Sequence, residues 1–202
     1  MNKIITIGRE FGSGGRELGR KLAETLGYEY YDKEIITEIS KRTELSERYV
    51  HEIIEKNPHE LFPITIGHSF TYIDVYTLER QQSVLREKEN VLKEMADKSN
   101  CVIVGRCADY ILKEYNPYRI FVCADAKTKL ERCRAHESGI EHEHLSDKKL
   151  LKMMKNIDRH RARYYEFCTN KEWGDRLNYD ICVNTSSVSI DETVKALSKL
   201  FK

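Results

Sequence analysis

The chain has no long apolar run. Nothing in its 202 residues approaches the roughly 20 that a membrane-spanning helix needs, so no membrane partner is expected. It also lacks an excess of either charge. The 34 Lys and Arg against 33 Asp and Glu give a formal net charge of +1, which leaves bulk attraction to nucleic acid without support. Any anion binding must come from local basic clusters. Proline is scarce, at three residues, and no Pro/Gly linker, repeat or low-complexity tract divides the sequence. The six cysteines (Cys101, Cys107, Cys123, Cys133, Cys168 and Cys182) include no C-x-x-C pair. They read as buried free thiols and suit a cytoplasmic location. The first residues enter a strand-like run almost at once, leaving no room for a signal peptide. No Ser/His/Asp constellation stands out, so covalent catalysis is not expected.

What remains is a length that suits one domain, with 40% hydrophobic and 33% charged residues. Short apolar runs alternate with longer helical patterns, the signature of a parallel α/β sheet. Strands are expected at Ile4–Ile7, near Tyr28–Tyr31, and at Cys101–Val104, Arg119–Cys123 and Tyr179–Val183. Gly27 is placed to cap the first helix, and Ser189-Ile190-Asp191-Glu192 fits a capping box for the last. Two regions interrupt this rhythm. One, at about 41–97, holds the aromatic stretch Pro58, Phe62, Pro63, Phe70 and Tyr72, then a long helix. Leu78, Leu85 and Leu92 share a face of that helix with Val84, Val91 and Met95, as core or as an interface with a second copy. The other, at about 136–157, is polar and charged. The histidines His136, His142 and His144 in it lack zinc-like spacing and read as a solvated segment.

The most informative stretch is Ile4-Ile5-Thr6-Ile7-Gly8-Arg9-Glu10-Phe11-Gly12-Ser13-Gly14-Gly15-Arg16-Glu17. Strand, glycine loop and helix in that order make a phosphate grip, from inward-pointing amides and the positive end of a helix dipole. The G-x-x-x-x-G-K-[ST] pattern is not met, however. Counted from Gly8, the second glycine falls one position late at Gly14, Arg16 stands near the lysine and Glu17 near the hydroxyl.

Further cations sit where an anion would need them. Val104-Gly105-Arg106 puts Arg106 just past the end of a strand, at the edge where open parallel sheets bind ligands. Its guanidinium can take a phosphate with two hydrogen bonds, and a surface arginine is the plain alternative. In Asp158-Arg159-His160-Arg161-Ala162-Arg163-Tyr164-Tyr165, helical spacing sets Asp158, Arg161 and Tyr165 on one face and Arg159 with Arg163 on another. That segment is either a solvated helix or a lid hinge delivering arginines to a phosphoryl group.

Together these motifs, with Tyr30-Tyr31-Asp32, Val104-Gly105-Arg106-Cys107-Ala108-Asp109 and Asn178-Tyr179-Asp180-Ile181, resemble the cytidylate kinase-like family of P-loop nucleoside monophosphate kinases. The resemblance spans most of the chain. It implies a single α/β domain: a five-stranded parallel sheet flanked by helices, with an acceptor-binding helical insertion at about 41–97 and a lid at about 136–157. It implies ATP held at Gly8, Gly12, Ser13, Gly14, Gly15, Arg16 and Glu17, with Asp180 near the donor. Arg106 would hold the acceptor phosphate, with Asp109 and Asp32 beside it. Asp158 and Arg161 match the Asp-x-x-Arg of the lid-proximal helix, with Arg159 alongside. The loop is similar to that of other members of this branch in its Arg-Glu-aromatic-Gly-Ser-Gly-Gly pattern, and departs from bona fide cytidylate kinases in having no lysine. Aligning Gly12-Ser13-Gly14 with the usual Gly-x-Gly puts Gly15 at its position, and Arg9 or Arg16 is left to restore the charge. Ser13 is the substitute for the Mg²⁺-binding hydroxyl. The expected reaction is ATP- and Mg²⁺-dependent phosphoryl transfer to a nucleoside monophosphate, CMP or dCMP first. The alternatives are a non-catalytic nucleotide-binding module and a kinase with another small acceptor.

Overall fold

A computed structural model describes residues 2–55, 75–135 and 145–201. Its strands are β1 (Ile4–Arg9), β2 (Glu29–Tyr31), β3 (Cys101–Val104), β4 (Tyr118–Cys123) and β5 (Ile181–Asn184). All pair in parallel, in the order β2-β3-β1-β4-β5, with β1 at the centre. The helices are α1 (Gly15–Leu26), α2 (Lys33–Thr43), α3 (Glu47–Glu55), α4 (Val75–Lys98), α5 (Ala108–Ile111), α6 (Ala126–Ala135), α7 (Asp147–Thr169) and α8 (Ile190–Ser198).

Alternation along β1 splits the core between two faces of the sheet. Ile5 and Ile7 pack with Leu18 and Leu22 of α1 and Val194 and Leu197 of α8. Ile4 packs on the other side with Ile35 and Ile39 of α2 and Val84, Val91 and Leu92 of α4. The apolar face of α4 is therefore core, which removes the sequence argument for a homodimer through it. Leu92 is fully buried, so Leu92→Ala is expected to cost about 2–5 kcal/mol. Urea melts should show it as a lower midpoint at unchanged slope.

Both capping expectations hold. Gly27 ends α1 in the left-handed region at φ 68°, and Ser189 with Glu192 closes a reciprocal capping box on α8. Three boundaries moved, each for a local reason. β1 runs on through Gly8 and Arg9, which pair with Phe121 and Val122 of β4, so these two residues belong to the strand and not to the loop. β5 starts at Ile181, because residues 176–178 form a 3₁₀ turn. The polar stretch expected as a lid is partly helix: α7 begins at Asp147, capped by the Ser146 hydroxyl. The rest of that stretch, with His136, His142 and His144, lies outside the described residues, as do Pro58, Phe62, Pro63, Phe70 and Tyr72.

Candidate active site

All five strands point their carboxyl ends at one edge, and the loop after β1 opens there. The Glu10 amide continues the ladder to the Val122 carbonyl at 3.0 Å. The chain then turns through two left-handed glycines, Gly12 at φ 75° and Gly14 at φ 80°. A Cβ at Gly12 would stand 3.1 Å from the Lys129 carbonyl, so α6 packs directly on the loop. Ser13 is fully buried and fixed from both ends. Its hydroxyl donates to the Glu10 carbonyl at 2.8 Å, and its own carbonyl accepts from Thr185 at 2.7 Å and Arg132 at 2.9 Å. No side chain caps α1, whose first-turn amides have no carbonyl before them in the helix. A fixed loop ending in an uncapped helix start is an anion site in its geometry.

A second set of contacts ties the loop to α7. The Phe11 amide donates to Asp158 Oδ1 at 2.7 Å. Lys129 Nζ lies 2.6 Å from Glu10 Oε2 and 3.6 Å from Asp158 Oδ2. Arg161 reaches Asp158 at 3.4 Å and donates to the Arg9 carbonyl at 3.2 Å. Burial pushes the Asp158 carboxyl up, while the Phe11 amide, Arg161 and Lys129 pull it back. The sequence reading missed Lys129. Its i,i+3 spacing from Arg132 on α6, which puts both cations on the face packed against the loop, was the available signal. Lys129→Met would leave two largely buried carboxylates facing each other. We expect a loss of about 1–3 kcal/mol, less than for a fully buried pair because both acids keep some exposure. Thermal denaturation should show it.

At the end of β3, Gly105, Arg106 and Cys107 take φ of 76°, 64° and 54°. Two successive non-glycine residues in the left-handed region are uncommon, and such strain clusters at functional turns. The turn aims a buried Arg106, 7% exposed, along the sheet edge. A cleft lies there, lined by Arg9, Arg106, Asp109, Arg161, Tyr165 and Tyr179 among others. Phe121 and Trp173 extend its aromatic wall, with Phe121 edge-on to Trp173 at 5.2 Å and tilted against Tyr179 at 4.9 Å. These aromatics come from α7, β4 and the approach to β5.

The Tyr165 hydroxyl donates to Asp109 Oδ2 at 2.7 Å. Burial raises the Asp109 carboxyl, and the Tyr165 hydrogen bond offsets part of that. The folded chain therefore holds this proton more tightly than the unfolded one. Stability is lost as pH rises from about 4, the ordinary carboxylate value, through the raised one. Asp109→Asn keeps an acceptor for Tyr165 and removes the titration. Its Tm relative to the parent protein is expected to climb as pH rises above about 4, the ordinary carboxylate value.

Arg16 leans away from the loop, its Nε 2.5 Å from Asp32 Oδ2. Asp32 is buried at the end of β2, and its other oxygen has no hydrogen-bond partner among the described residues. The structure thus brings Gly8, Arg9, Arg106, Asp109 and Arg161 to one cleft, with Gly12–Gly15, Arg16, Asp32 and Asp158 on the same edge. Three sequence candidates stand apart from it. Glu17 pairs with Lys21 at 2.9 Å, which also holds Asp191 of α8. Arg159 is on the exposed face of α7. Asp180 precedes β5, at the amino edge of the parallel sheet. There Arg119 binds it at 2.8 Å and holds its carboxyl below the usual range. That position gives Asp180 no contact with the loop, a correction to its expected place near the donor. Among the described residues no group of three or more His, Cys, Asp or Glu is set to hold a metal ion.

The cytidylate kinase-like family profile matches residues 4–187. The chain belongs to the cytidylate kinase-like family. Among solved structures it is similar to an uncharacterized protein from Eubacterium ventriosum, at 30% identity over 98% of each chain with a TM-score of 0.70. Shikimate kinase from Bacteroides thetaiotaomicron aligns at 18% identity over 98% of each chain, TM-score 0.57. Shikimate kinase from Acinetobacter baumannii, in complex with shikimate, aligns at 16% identity over 100% of this chain and 93% of its own, TM-score 0.53. The shikimate kinases share the fold. No curated protein matches this member of the family by sequence. The five-stranded parallel sheet flanked by helices is the fold of the P-loop kinases.

Proposed function

We propose that the protein transfers the γ-phosphoryl group of ATP to a small anionic acceptor, with a nucleoside monophosphate, CMP or dCMP, as the first candidate. The observation that carries this reading is the shared edge. The uncapped start of α1 and the buried Arg106 lie at the ends of neighbouring strands, with Arg9 and Arg161 between them. One end suits the donor's phosphates and the other an acceptor phosphate held by two parallel hydrogen bonds.

The residues present fit ATP, because the loop is fixed at Ser13 and the first turn of α1 carries no side-chain cap, which leaves its amides for phosphate. Mg²⁺ bound with the nucleotide would neutralise charge on two phosphates, and it takes most of its ligands from phosphate and water. Ser13, the hydroxyl ligand expected from the sequence, is fully buried with its hydroxyl donating to the Glu10 carbonyl, so it does not present that oxygen to a metal ion in this conformation. Asp32, with one bare oxygen, is placed to orient the acceptor. Catalysis then amounts to positioning and charge neutralisation, with no covalent intermediate. Tyr165 and Tyr179 offer the acceptor's base a stacking wall.

The test is incubation with Mg²⁺-ATP and a panel of acceptors, reading ADP and phosphorylated product directly. CMP and dCMP lead the panel, followed by the other nucleoside monophosphates and by shikimate, which the fold's neighbours act on or bind. Selective turnover of CMP or dCMP is the expected result. Turnover of shikimate alone would move the acceptor class, and silence across the panel with ATP bound would favour a nucleotide-binding module.

A further inference from the structure

Resting on that kinase reading, the structure assigns the cation missing from the loop to Arg9, with Gly15 as the position that makes room for it. We infer that Arg9 is a catalytic residue. It delivers from the end of β1 the charge that a lysine at position 15 delivers from the start of a helix.

Gly15 is the first residue of α1 and its φ is not in the left-handed region, so backbone conformation does not ask for glycine there. Space does. A Cβ at Gly15 would stand 2.5 Å from Arg9 Cβ, closer than such atoms approach, with Arg9 Cγ at 3.1 Å and Val122 Cβ at 3.3 Å in tight contact. The obstructing atoms are the root of the Arg9 side chain, not its flexible end. No residue with a side chain fits at 15 while Arg9 keeps its place.

The far end of Arg9 is located by Gly105. A Cβ added there would overlap the guanidinium, with Nη1 and Cζ both against it. The side chain therefore runs from the first turn of α1 to the Gly105-Arg106 turn, between the donor and acceptor ends of the edge. It is 8% exposed and lines the cleft. Arg161 donates to its backbone carbonyl at 3.2 Å, fixing the strand end from which it springs. Arg16, the other candidate, has its guanidinium turned to Asp32.

Strand register explains the exchange. Because β1 continues through Arg9, its side chain falls on the face of Ile5 and Ile7, which is the face α1 covers. A side chain at that height and a side chain at the first position of α1 point into the same volume. A chain can fill it from the strand or from the helix, but not from both. The planar fork of arginine then spans two phosphate oxygens where a lysine offers a point charge.

The experiment uses the full-length protein with three changes. Arg9→Met keeps the packing of the stem and removes the charge. Gly15→Lys adds the helix-borne cation against an intact Arg9. Arg9→Gly with Gly15→Lys moves the cation from strand to helix, glycine being needed at 9 because even a Cβ there collides. Binding of ATP and of inorganic tripolyphosphate is read by calorimetry, and transfer by product formation, with folding checked by circular dichroism.

Arg9→Met is expected to weaken tripolyphosphate binding at least about tenfold and to slow transfer about 10²- to 10³-fold at unchanged folding. Gly15→Lys alone should be impaired by collision, and the double variant should recover at least about tenfold over Arg9→Met, an exchange that a merely structural Arg9 would not permit. Wild-type binding and turnover in Arg9→Met would overturn the assignment while leaving the kinase reading intact. A folded double variant no better than Arg9→Met would overturn it as well. If the double variant does not fold, Arg9→Met decides alone. A wild-type protein that binds neither ATP nor tripolyphosphate would overturn the kinase reading and this inference with it.

Discussion

Arg161→Ala is expected to slow phosphoryl transfer about 10²- to 10³-fold while changing the KM for either substrate by less than about threefold. The expectation follows from where the guanidinium stands. It lies in the cleft between the donor loop and Arg106, and its contacts at 3.2 Å and 3.4 Å run to the Arg9 carbonyl and to Asp158. A cation so placed faces charge that develops during transfer, and interactions made mainly in the transition state appear in kcat. Arg161→Lys separates the two parts of the role. It keeps a charge and loses the planar fork, so a partial recovery of about tenfold over alanine is expected. An equal rise in both KM values with kcat untouched would instead make Arg161 a binding residue.

Arg106→Asn should do the opposite. Asparagine tolerates the left-handed backbone at this turn, so the change removes the guanidinium without adding strain. Losing a charge-assisted pair of hydrogen bonds removes about 2–3 kcal/mol, or about 30- to 160-fold in acceptor affinity. The KM for ATP should stay within about twofold, because the donor end is built from the loop and α1. Steady-state kinetics with each substrate varied in turn reads both numbers. If ATP and acceptor suffer alike, Arg106 does not belong to one end of the site.

Much of this arrangement was legible in the chain. Alternating apolar runs and helical periods located all five strands to within a few residues, since four of them are short and rich in β-branched residues, while β2, Glu29-Tyr30-Tyr31, follows closely on the Gly27 cap. Gly27 and the Ser189-Glu192 box act within a single turn of chain, and both behave as their residue types require. The loop was also visible, but its register was not. Whether Gly8 and Arg9 are loop or strand depends on pairing with Phe121 and Val122, more than a hundred residues away. The same pairing hid the meaning of Gly15, because Arg9, only six positions earlier, is seen to lie across it only once β1 is known to run on through Arg9. Asp180 was misplaced because a motif carries no sense of edge: the residue just before a parallel strand is at the wrong end for a donor site. Lys129 was overlooked because a lysine in a polar helix looks solvated until Glu10 and Asp158 are seen on either side of it.

In the proposed reaction the loop and Arg106 are the two ends of one site, close enough for a phosphoryl group to pass between them. The most direct test is the affinity of a bisubstrate in which adenosine and cytidine are joined through five phosphates, measured by calorimetry on the intact protein. Both ends engaged at once predict binding at least about 10²-fold tighter than ATP or CMP alone, with most of that gain lost in Arg106→Asn. Binding no tighter than ATP, and unchanged in Arg106→Asn, would contradict it.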